Sequence, residues 1–431
     1  MRSRIHGALL VILGTASSSG GAERSFPDPA LLPERPEMPD PLVCLDGSRV
    51  KDAREWNEKR KPELRALFEH YMYGKIPGHP EGMRFEVEAR YPDILGGKAI
   101  LEVVSIRYPA DAAAGAPRID LMLIVPASRE GRVPVFLALN FCGNHNMIDD
   151  PRVPLTRNWL YKNCGGAEDG RATEAARGGG AGEWAIEEIV RRGYALASFA
   201  TADIDSDRAE VAGDLPTWLA RKGGEDPGRS APADRGTIAL WASGIHRAVD
   251  YLVTRPDIDP ARIAVVGHSR NGKTALLAAA FDERIALAIP HQAGCGGTAP
   301  SRGKVGESVK QINDAFPHWF NREFKKFNDA PARLPFDQNC LAALCAPRPI
   351  LFSNAEKDGW ANPAGQIETL RGAEGVYRLL GAGGFEGAPE SGKLSGGALG
   401  YFIRPGDHSM THEVWKAFLD FADRHLKGRP R

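Results

Sequence analysis

The residues best suited to chemistry in this chain surround Ser269, in the run Gly267-His268-Ser269-Arg270-Asn271-Gly272-Lys273. The apolar, largely β-branched segment 263–266 precedes the serine, and the helix-favouring segment 274–280 follows the run. This strand–turn–helix context is typical of a nucleophile elbow, in which the serine hydroxyl projects from a sharp turn. The two glycines permit the close backbone approach that such a turn requires. The alternative is an ordinary turn in which the serine only caps the helix.

A serine hydroxyl becomes a nucleophile when a histidine takes its proton and an acid orients that histidine. In α/β-hydrolases these residues follow strand ends in the order serine, acid, histidine. Asp358 follows the predicted strand 349–354, and His408 follows the last predicted strand, 399–403. We therefore predict that Ser269, Asp358 and His408 form a catalytic triad. The open alternatives are Glu356 as the acid and His412 or His425 as the base.

Apolar patterning predicts the elements that must position these residues. Alternating runs are typical of partly exposed antiparallel strands, whereas continuous apolar runs indicate buried parallel strands, here joined by helical crossovers. The alternating strands are 85–89, 99–106 and 119–126; the buried strands are 133–140, 194–199, 263–266, 285–290, 349–354 and 399–403; the main helices are 184–192, 238–252 and 413–426. The predicted fold class is α/β, an α/β-hydrolase three-layer sandwich with a mostly parallel central sheet and antiparallel N-terminal strands.

Three loops carry further expectations. Residues 141–145, Phe-Cys-Gly-Asn-His, follow a buried strand where a loop amide would complete an oxyanion hole. Residues 165–182 are rich in Gly, Ala and Arg and are expected to form a mobile loop. Asp203, Asp205 and Asp207 lack the spacing of a calcium loop, so a solvated acidic loop is expected there.

Composition and charge limit the class of protein. The 431 residues are 42% hydrophobic, enough for a large core, and 55 basic residues balance 55 acidic ones. Zero net charge gives no reason to expect nucleic acid or an anionic membrane as a partner. The six cysteines show no zinc-type spacing, so neither a metal nor another cofactor is expected, and their pairing stays open.

The N-terminal residues indicate export. Arg2 and Arg4 precede a short apolar segment, 8–13, and small residues follow, which is typical of a signal peptide at 1–22. The Pro-rich residues 23–50 are expected to form an extended surface arm, and 51–431 a single α/β-hydrolase catalytic domain with loop insertions. We therefore expect a secreted or periplasmic monomer.

Several sequence blocks resemble one enzyme family. The run around Ser269 is similar to the Gly-Cys-Ser-Arg-x-Gly-Lys motif of glucuronoyl esterases, carbohydrate esterase family 15. Further similar blocks extend from about residue 50 to the C-terminus and point to the bacterial branch. They are 139–145, 294–297, 301–302, 306–307, 316–320 and 358–360.

This resemblance implies hydrolysis of esters between (4-O-methyl)glucuronic acid on xylan and alcohols, including those of lignin. It also implies that Arg270 holds the oxyanion and that Lys273, Glu307 and Trp360 contact the sugar. A fixed cation beside the carbonyl oxygen is most effective in the transition state. Other interpretations remain: an acetyl-xylan-type or other carbohydrate esterase, or a non-catalytic polysaccharide-binding protein.

The chain departs from the family pattern at two positions. Many members have a cysteine before the nucleophile, paired in a disulfide near the catalytic histidine, whereas this chain has His268. Many also place a catalytic glutamate where this chain has Gln292, and an amide cannot act as the anionic orienter. The resemblance therefore implies that the acid comes from Asp358, as in some bacterial members.

Overall fold

A mixed sheet of ten strands organises the residues described by the computed structural model, 26–109, 116–161, 163–223 and 235–427. The predicted signal segment 1–22 lies outside these ranges. The strands are β1 (Arg84–Asp93), β2 (Ala99–Arg107), β3 (Arg118–Pro126), β4 (Val133–Asn140), β5 (Ala195–Ala200), β6 (Ile258–His268), β7 (Ile285–His291), β8 (Ile350–Ala355), β9 (Leu394–Gly396) and β10 (Leu399–Arg404). Their order in the sheet is β1-β2-β3-β5-β4-β6-β7-β8-β10-β9.

The sheet is parallel in its centre and antiparallel at both edges. The parallel part consists, in sheet order, of β5, β4, β6, β7, β8 and β10. At one edge, β1 pairs antiparallel with β2, β2 with β3, and β3 with β5. At the other edge β9 forms an antiparallel hairpin with β10, which the sequence patterning did not predict. The carboxyl ends of the parallel strands share one edge of the sheet, so residues that follow β6, β8 and β10 can meet there.

Helices cover both faces of the sheet, which produces three layers. The principal helices are α1 (Lys61–Phe68), α2 (Ile186–Arg191), α3 (Asp214–Lys222), α4 (Thr237–Leu252), α5 (Arg270–Phe281), α6 (Val309–Ala315), α7 (Gln338–Leu344), α8 (Pro363–Leu379) and α9 (Val414–Ala422). Val135 and Leu137 of β4 belong to the core that contains α4 and α5, whereas Phe136 of the same strand packs on Trp415 of α9 in the other core. Burial on both faces explains the continuous apolar run of β4. The predicted α/β-hydrolase fold class is confirmed.

Residues 26–50 run along the domain surface, and buried side chains hold their carbonyl groups. Tyr71 donates to the carbonyl oxygen of Pro27 at 2.6 Å, and Asn339 donates to that of Pro39 at 2.8 Å. No helix in the described part of the chain has the length and apolar content needed to cross a bilayer.

The acidic segment 203–207 is not the solvated loop that the sequence predicts. Asp203 and Asp205 are 1% and 4% exposed, and Asp207 is also largely buried. Asp203 accepts a hydrogen bond from Asn158, and Asp205 accepts one from Thr237, at 2.8 and 2.7 Å. Burial raises the pKa of both Asp203 and Asp205 to about 7. The expectation failed because charge pattern alone does not reveal these internal partners.

Candidate active site

Ser269 occupies a strained turn between β6 and α5. Its backbone has φ +58° and ψ −123°, a conformation that non-glycine residues rarely adopt. A Cβ atom on Gly267 would lie 2.0 Å from the carbonyl oxygen of Asn271, so only glycine fits there. The Ser269 amide donates to the carbonyl oxygen of His291 at 2.9 Å, which ties the turn to β7. The turn therefore has the geometry of a nucleophile elbow.

His408 and Asp358 form a hydrogen-bonded pair at the same edge of the sheet. The Nδ1 atom of His408, on the loop after β10, lies 2.7 Å from the Oδ2 atom of Asp358, on the loop after β8. Because a carboxylate only accepts, Nδ1 donates, and Nε2 is left as the basic nitrogen. Asp358 is 4% exposed, and its Oδ1 accepts from the Ala361 amide at 3.3 Å. His408 and Ser269 line one cavity.

The alternative acid and bases lie elsewhere. The Glu356 side chain is exposed, and the backbone amide of this residue donates to the carbonyl oxygen of Arg404 at the end of β10. His412 is exposed and lines a different cavity, whereas His425 packs against Phe421 after α9. The structure thus brings Asp358, and not Glu356, to His408.

Two further histidine rings stand beside His408. The His268 ring centroid lies 4.7 Å from that of His408 and 5.1 Å from that of His291. Burial, followed by repulsion from the neighbouring histidines and arginines, holds the pKa of His268 well below its ordinary value. Burial likewise lowers the pKa of His291 to about 4. Both rings are therefore neutral near pH 7. The sequence analysis noted His268 only because it replaces a cysteine of the family motif, and it predicted no role for the ring.

Arg270 is held by a buried carboxylate and by aromatic rings. Its guanidinium forms an ion pair with Asp207 and lies 4.8 Å from the Trp319 ring centroid and 5.3 Å from that of Tyr161. Asp207 also accepts hydrogen bonds from His318 Nε2 at 2.8 Å and from the Trp319 indole at 2.7 Å. Although burial alone would raise it, the hydrogen bond from His318 and the charge of Arg270 lower the pKa of Asp207. Sequence reasoning missed this role of Asp207.

Lys273, Glu307 and Trp360 form a second group beside the elbow. Buried Lys273 donates from Nζ to the carbonyl oxygens of Ala293 and Cys295, both at 2.6 Å. Burial lowers the pKa of Lys273, opposed by the nearby charge of Glu307. Burial raises the pKa of Glu307, which Lys273 and a hydrogen bond from Trp360 oppose. The Trp360 side chain is 56% exposed and available to a ligand.

A cavity of about 660 Å³ opens at Ser269, Arg270 and His408. Its other walls include Phe141, Trp159, Tyr161 and the disulfide between Cys142 and Cys164. Lys273, Glu307 and Trp360 are not among its lining residues. These three side chains therefore form a group separate from the wall of this cavity.

The loop after β4 forms one wall of this cavity, but not every amide of the segment 141–145 is free to complete an oxyanion hole. The amide of Gly143 donates to the Asn140 side chain at 2.7 Å, so it is not available to an oxyanion. The adjoining Phe141–Cys142 segment lines the cavity instead. The disulfide joins this segment to the Gly-rich region, where Ala167–Glu168 pairs antiparallel with Arg171–Ala172. A region expected to be a mobile loop thus has regular local structure.

The described residues hold no group of three or more His, Cys, Asp or Glu side chains placed to bind a metal ion. The groups at the cavity fit a serine nucleophile: an elbow serine, an imidazole paired with a carboxylate, and a fixed guanidinium.

Comparisons with known proteins give a consistent result. A family model described as "Glucuronyl esterase, fungi" matches residues 230–381. A carbohydrate esterase from an unknown prokaryotic organism is 43% identical over 91% of this chain and 90% of its own length. A 4-O-methyl-glucuronoyl methylesterase from Phanerochaete carnosa is 33% identical, covering 97% and 89% of the two chains. The solved glucuronoyl esterase from Solibacter usitatus is 36% identical, with a TM-score of 0.82 over 92% of this chain and 99% of that one. The chain belongs to the glucuronoyl esterase family, carbohydrate esterase family 15, and is a carboxylic ester hydrolase.

Proposed function

We propose that this protein is a serine esterase that cleaves esters of (4-O-methyl)glucuronic acid, as in the lignin–carbohydrate ester linkages of glucuronoxylan. Ser269 is the nucleophile, His408 the base and Asp358 the acid that orients it. The observation that carries this proposal is the buried Asp358 carboxylate 2.7 Å from Nδ1 of His408, on an imidazole that shares a cavity with Ser269.

The reaction proceeds in two halves. His408 Nε2 takes the Ser269 proton as the serine oxygen attacks the ester carbonyl carbon, and it then gives that proton to the departing alcohol. The uronic acid is left esterified to Ser269. Water, losing a proton to His408, attacks this acyl-enzyme; the proton returns to the serine oxygen as the free acid leaves.

Negative charge develops on the carbonyl oxygen in both halves, and Arg270 is the residue that stabilises it. The support for this role is its position directly after Ser269 and the ion pair with Asp207, which fixes the guanidinium beside the nucleophile. The Arg270 amide and an amide of the Phe141–Cys142 segment are the backbone donors of the oxyanion hole. Preorganised donors of this kind are each worth about 100- to 1000-fold in turnover.

The sugar half of the ester contacts Lys273, Glu307 and Trp360. Trp360 offers an exposed indole, on which a pyranose ring can pack, and Glu307 and Lys273 offer polar groups for sugar hydroxyls. The leaving alcohol then extends into the cavity lined by Trp159 and Tyr161. The protein is exported to an oxidising compartment, which the Cys142–Cys164 disulfide supports.

Hydrolysis of benzyl and methyl glucuronate by the wild type and by Ser269→Ala tests this proposal. We expect the variant to fold normally and to lose all measurable ester hydrolysis, because no other group replaces the nucleophile. Acetylated xylan is assayed in parallel. Full activity of Ser269→Ala on a glucuronate ester would contradict the mechanism, and activity on acetylated xylan alone would contradict the substrate.

A further inference from the structure

The His408 ring depends on its loop for its position. His408 lies on an irregular segment between β10 and α9, and its side chain is 43% exposed, so packing leaves a large part of the ring uncovered. A general base must be held to within about half an ångström of its productive position. Backbone contacts of the residues on either side of His408 therefore add to the restraint that the Asp358 hydrogen bond and the His268 ring supply.

Gln292 contacts the backbone on both sides of His408. Its side-chain Nε2 donates to the carbonyl oxygen of Asp407 at 3.3 Å, and its Oε1 accepts from the amide of Ser409 at 3.0 Å. Gln292 directly follows β7, is 2% exposed, and has a left-handed backbone with φ +49°. Its own amide donates to the carbonyl oxygen of Ser353 in β8 at 2.7 Å. The backbone of Gln292 is thus fixed to β8, and its side chain is fixed to the loop that carries His408.

Two other buried side chains support the same loop. Arg404 donates to the carbonyl oxygens of Asp407 and Ser409, at 3.2 and 2.8 Å. His291 Nε2 lies 3.1 Å from the Ser409 carbonyl oxygen. These side chains are donors to carbonyl oxygens, whereas Gln292 adds an acceptor for the Ser409 amide. Gln292 is thus the side chain that accepts from the amide directly after His408.

We propose that Gln292 is a positioning residue for catalysis, whose amide clamps the backbone around His408 and so fixes the base relative to Ser269 and Asp358. This inference rests on the proposed role of His408 as the base. An amide suits the task because it presents one donor and one acceptor side by side. A carboxylate would still accept from Ser409 but would turn an oxygen towards the Asp407 carbonyl. A thioether of similar size would make neither bond.

The test compares Gln292→Met and Gln292→Glu with the wild type on benzyl glucuronate. For Gln292→Met we expect kcat to fall about 10- to 100-fold with KM within about twofold, because misplacing a base by about 1 Å costs this much without changing substrate contacts. Gln292→Glu also falls below the wild type. Asn339→Leu is the matched control. Asn339 is a buried amide that is not part of the cavity wall and donates to the carbonyl oxygens of Pro39 and Gly372. Its replacement should lower the melting temperature, while kcat stays within about twofold of the wild-type value.

A double-mutant cycle separates positioning from general stability. If Gln292 acts through His408, Gln292→Met has no further effect on kcat in the His408→Ala background, because the residue it positions is gone. Equal losses from Gln292→Met in both backgrounds would overturn the inference, as would wild-type kcat in Gln292→Met. A Gln292→Glu variant faster than the wild type would also overturn it, because donation to Asp407 would then be unnecessary.

The same measurements distinguish this inference from the proposed function. A wild type that hydrolyses the ester and a His408→Ala variant that keeps only a slow residual rate, together with an unaffected Gln292→Met, reject only the clamp. A His408→Ala variant as active as the wild type rejects the triad on which the clamp depends. Melting temperatures of all variants identify any that fail to fold, and the Gln292→Glu variant, which keeps one of the two bonds, then provides the comparison.

Discussion

Replacement of Asp358 by asparagine tests the acid of the triad with almost no change in shape. In the wild type the carboxylate accepts from Nδ1 of His408, so the imidazole keeps its Nε2 lone pair for the serine proton. The amide group of Asp358→Asn can instead donate to Nδ1. That contact favours the tautomer with the proton on Nε2, which cannot act as a base.

The expected loss follows from the burial of this residue. Asp358 is 4% exposed, so water cannot substitute for the missing carboxylate. Trapping the wrong tautomer in a serine triad costs about 10⁴-fold in kcat, which corresponds to about 5.4 kcal/mol at about 1.36 kcal/mol per tenfold. We expect kcat for benzyl glucuronate to fall by about 10³- to 10⁴-fold, with folding unchanged.

The matched control is Glu356→Gln, two residues away on the same loop. Glu356 is exposed, so its replacement should leave kcat within about twofold. Both variants are assayed by steady-state hydrolysis of benzyl glucuronate, with circular dichroism to verify folding. If Glu356→Gln lost more activity than Asp358→Asn, the acid would be Glu356, and the geometry read from the Asp358–His408 pair would be refuted.

Two further variants test the surroundings of the triad. Asp207→Asn removes the charge that holds Arg270, so kcat should fall about 10- to 100-fold with KM changing little; steady-state kinetics that match the wild type would contradict this role. His291 has its pKa lowered to about 4 by burial, so between about pH 6.5 and pH 4 the unfolded chain binds the proton that the folded chain rejects. As the pH falls from 7 to 5, His291 should therefore reduce the free energy of unfolding by about 2 kcal/mol. Urea denaturation at both pH values should show that His291→Gln lacks this loss. An equal loss in both proteins would contradict the prediction.

The sequence predicts those parts of the site that depend on local pattern. The apolar run of β6, the glycine at 267 and the helix after Ser269 specify the elbow, because strand and helix cross there at a distance that only glycine allows. The order of Ser269, Asp358 and His408 after their strands follows from the topology of a parallel sheet. The roles of these residues remain predictions until the variants are assayed.

Contacts between distant segments could not be predicted in the same way. Asp207 lies 63 residues before Arg270, and nothing in the acidic segment indicates that it folds against the elbow helix. The Cys142–Cys164 pair is one of several pairings that six cysteines allow. The hairpin strand β9 has three residues, too few for a periodic pattern. In each case the outcome depends on packing between elements rather than on local composition.

Apart from Arg404, the side chains outside the triad that hold the His408 ring or its loop carry no charge near pH 7. Gln292 is uncharged, and burial keeps His268 and His291 neutral near pH 7, so these three neighbours hold the ring or its loop without adding charge. Asp358 supplies the negative charge that balances the imidazolium formed during catalysis. A proton on His268, 4.7 Å from His408 between ring centroids, would oppose that imidazolium directly. It follows that a permanent positive charge at position 268 should reduce kcat more than a neutral side chain of the same size.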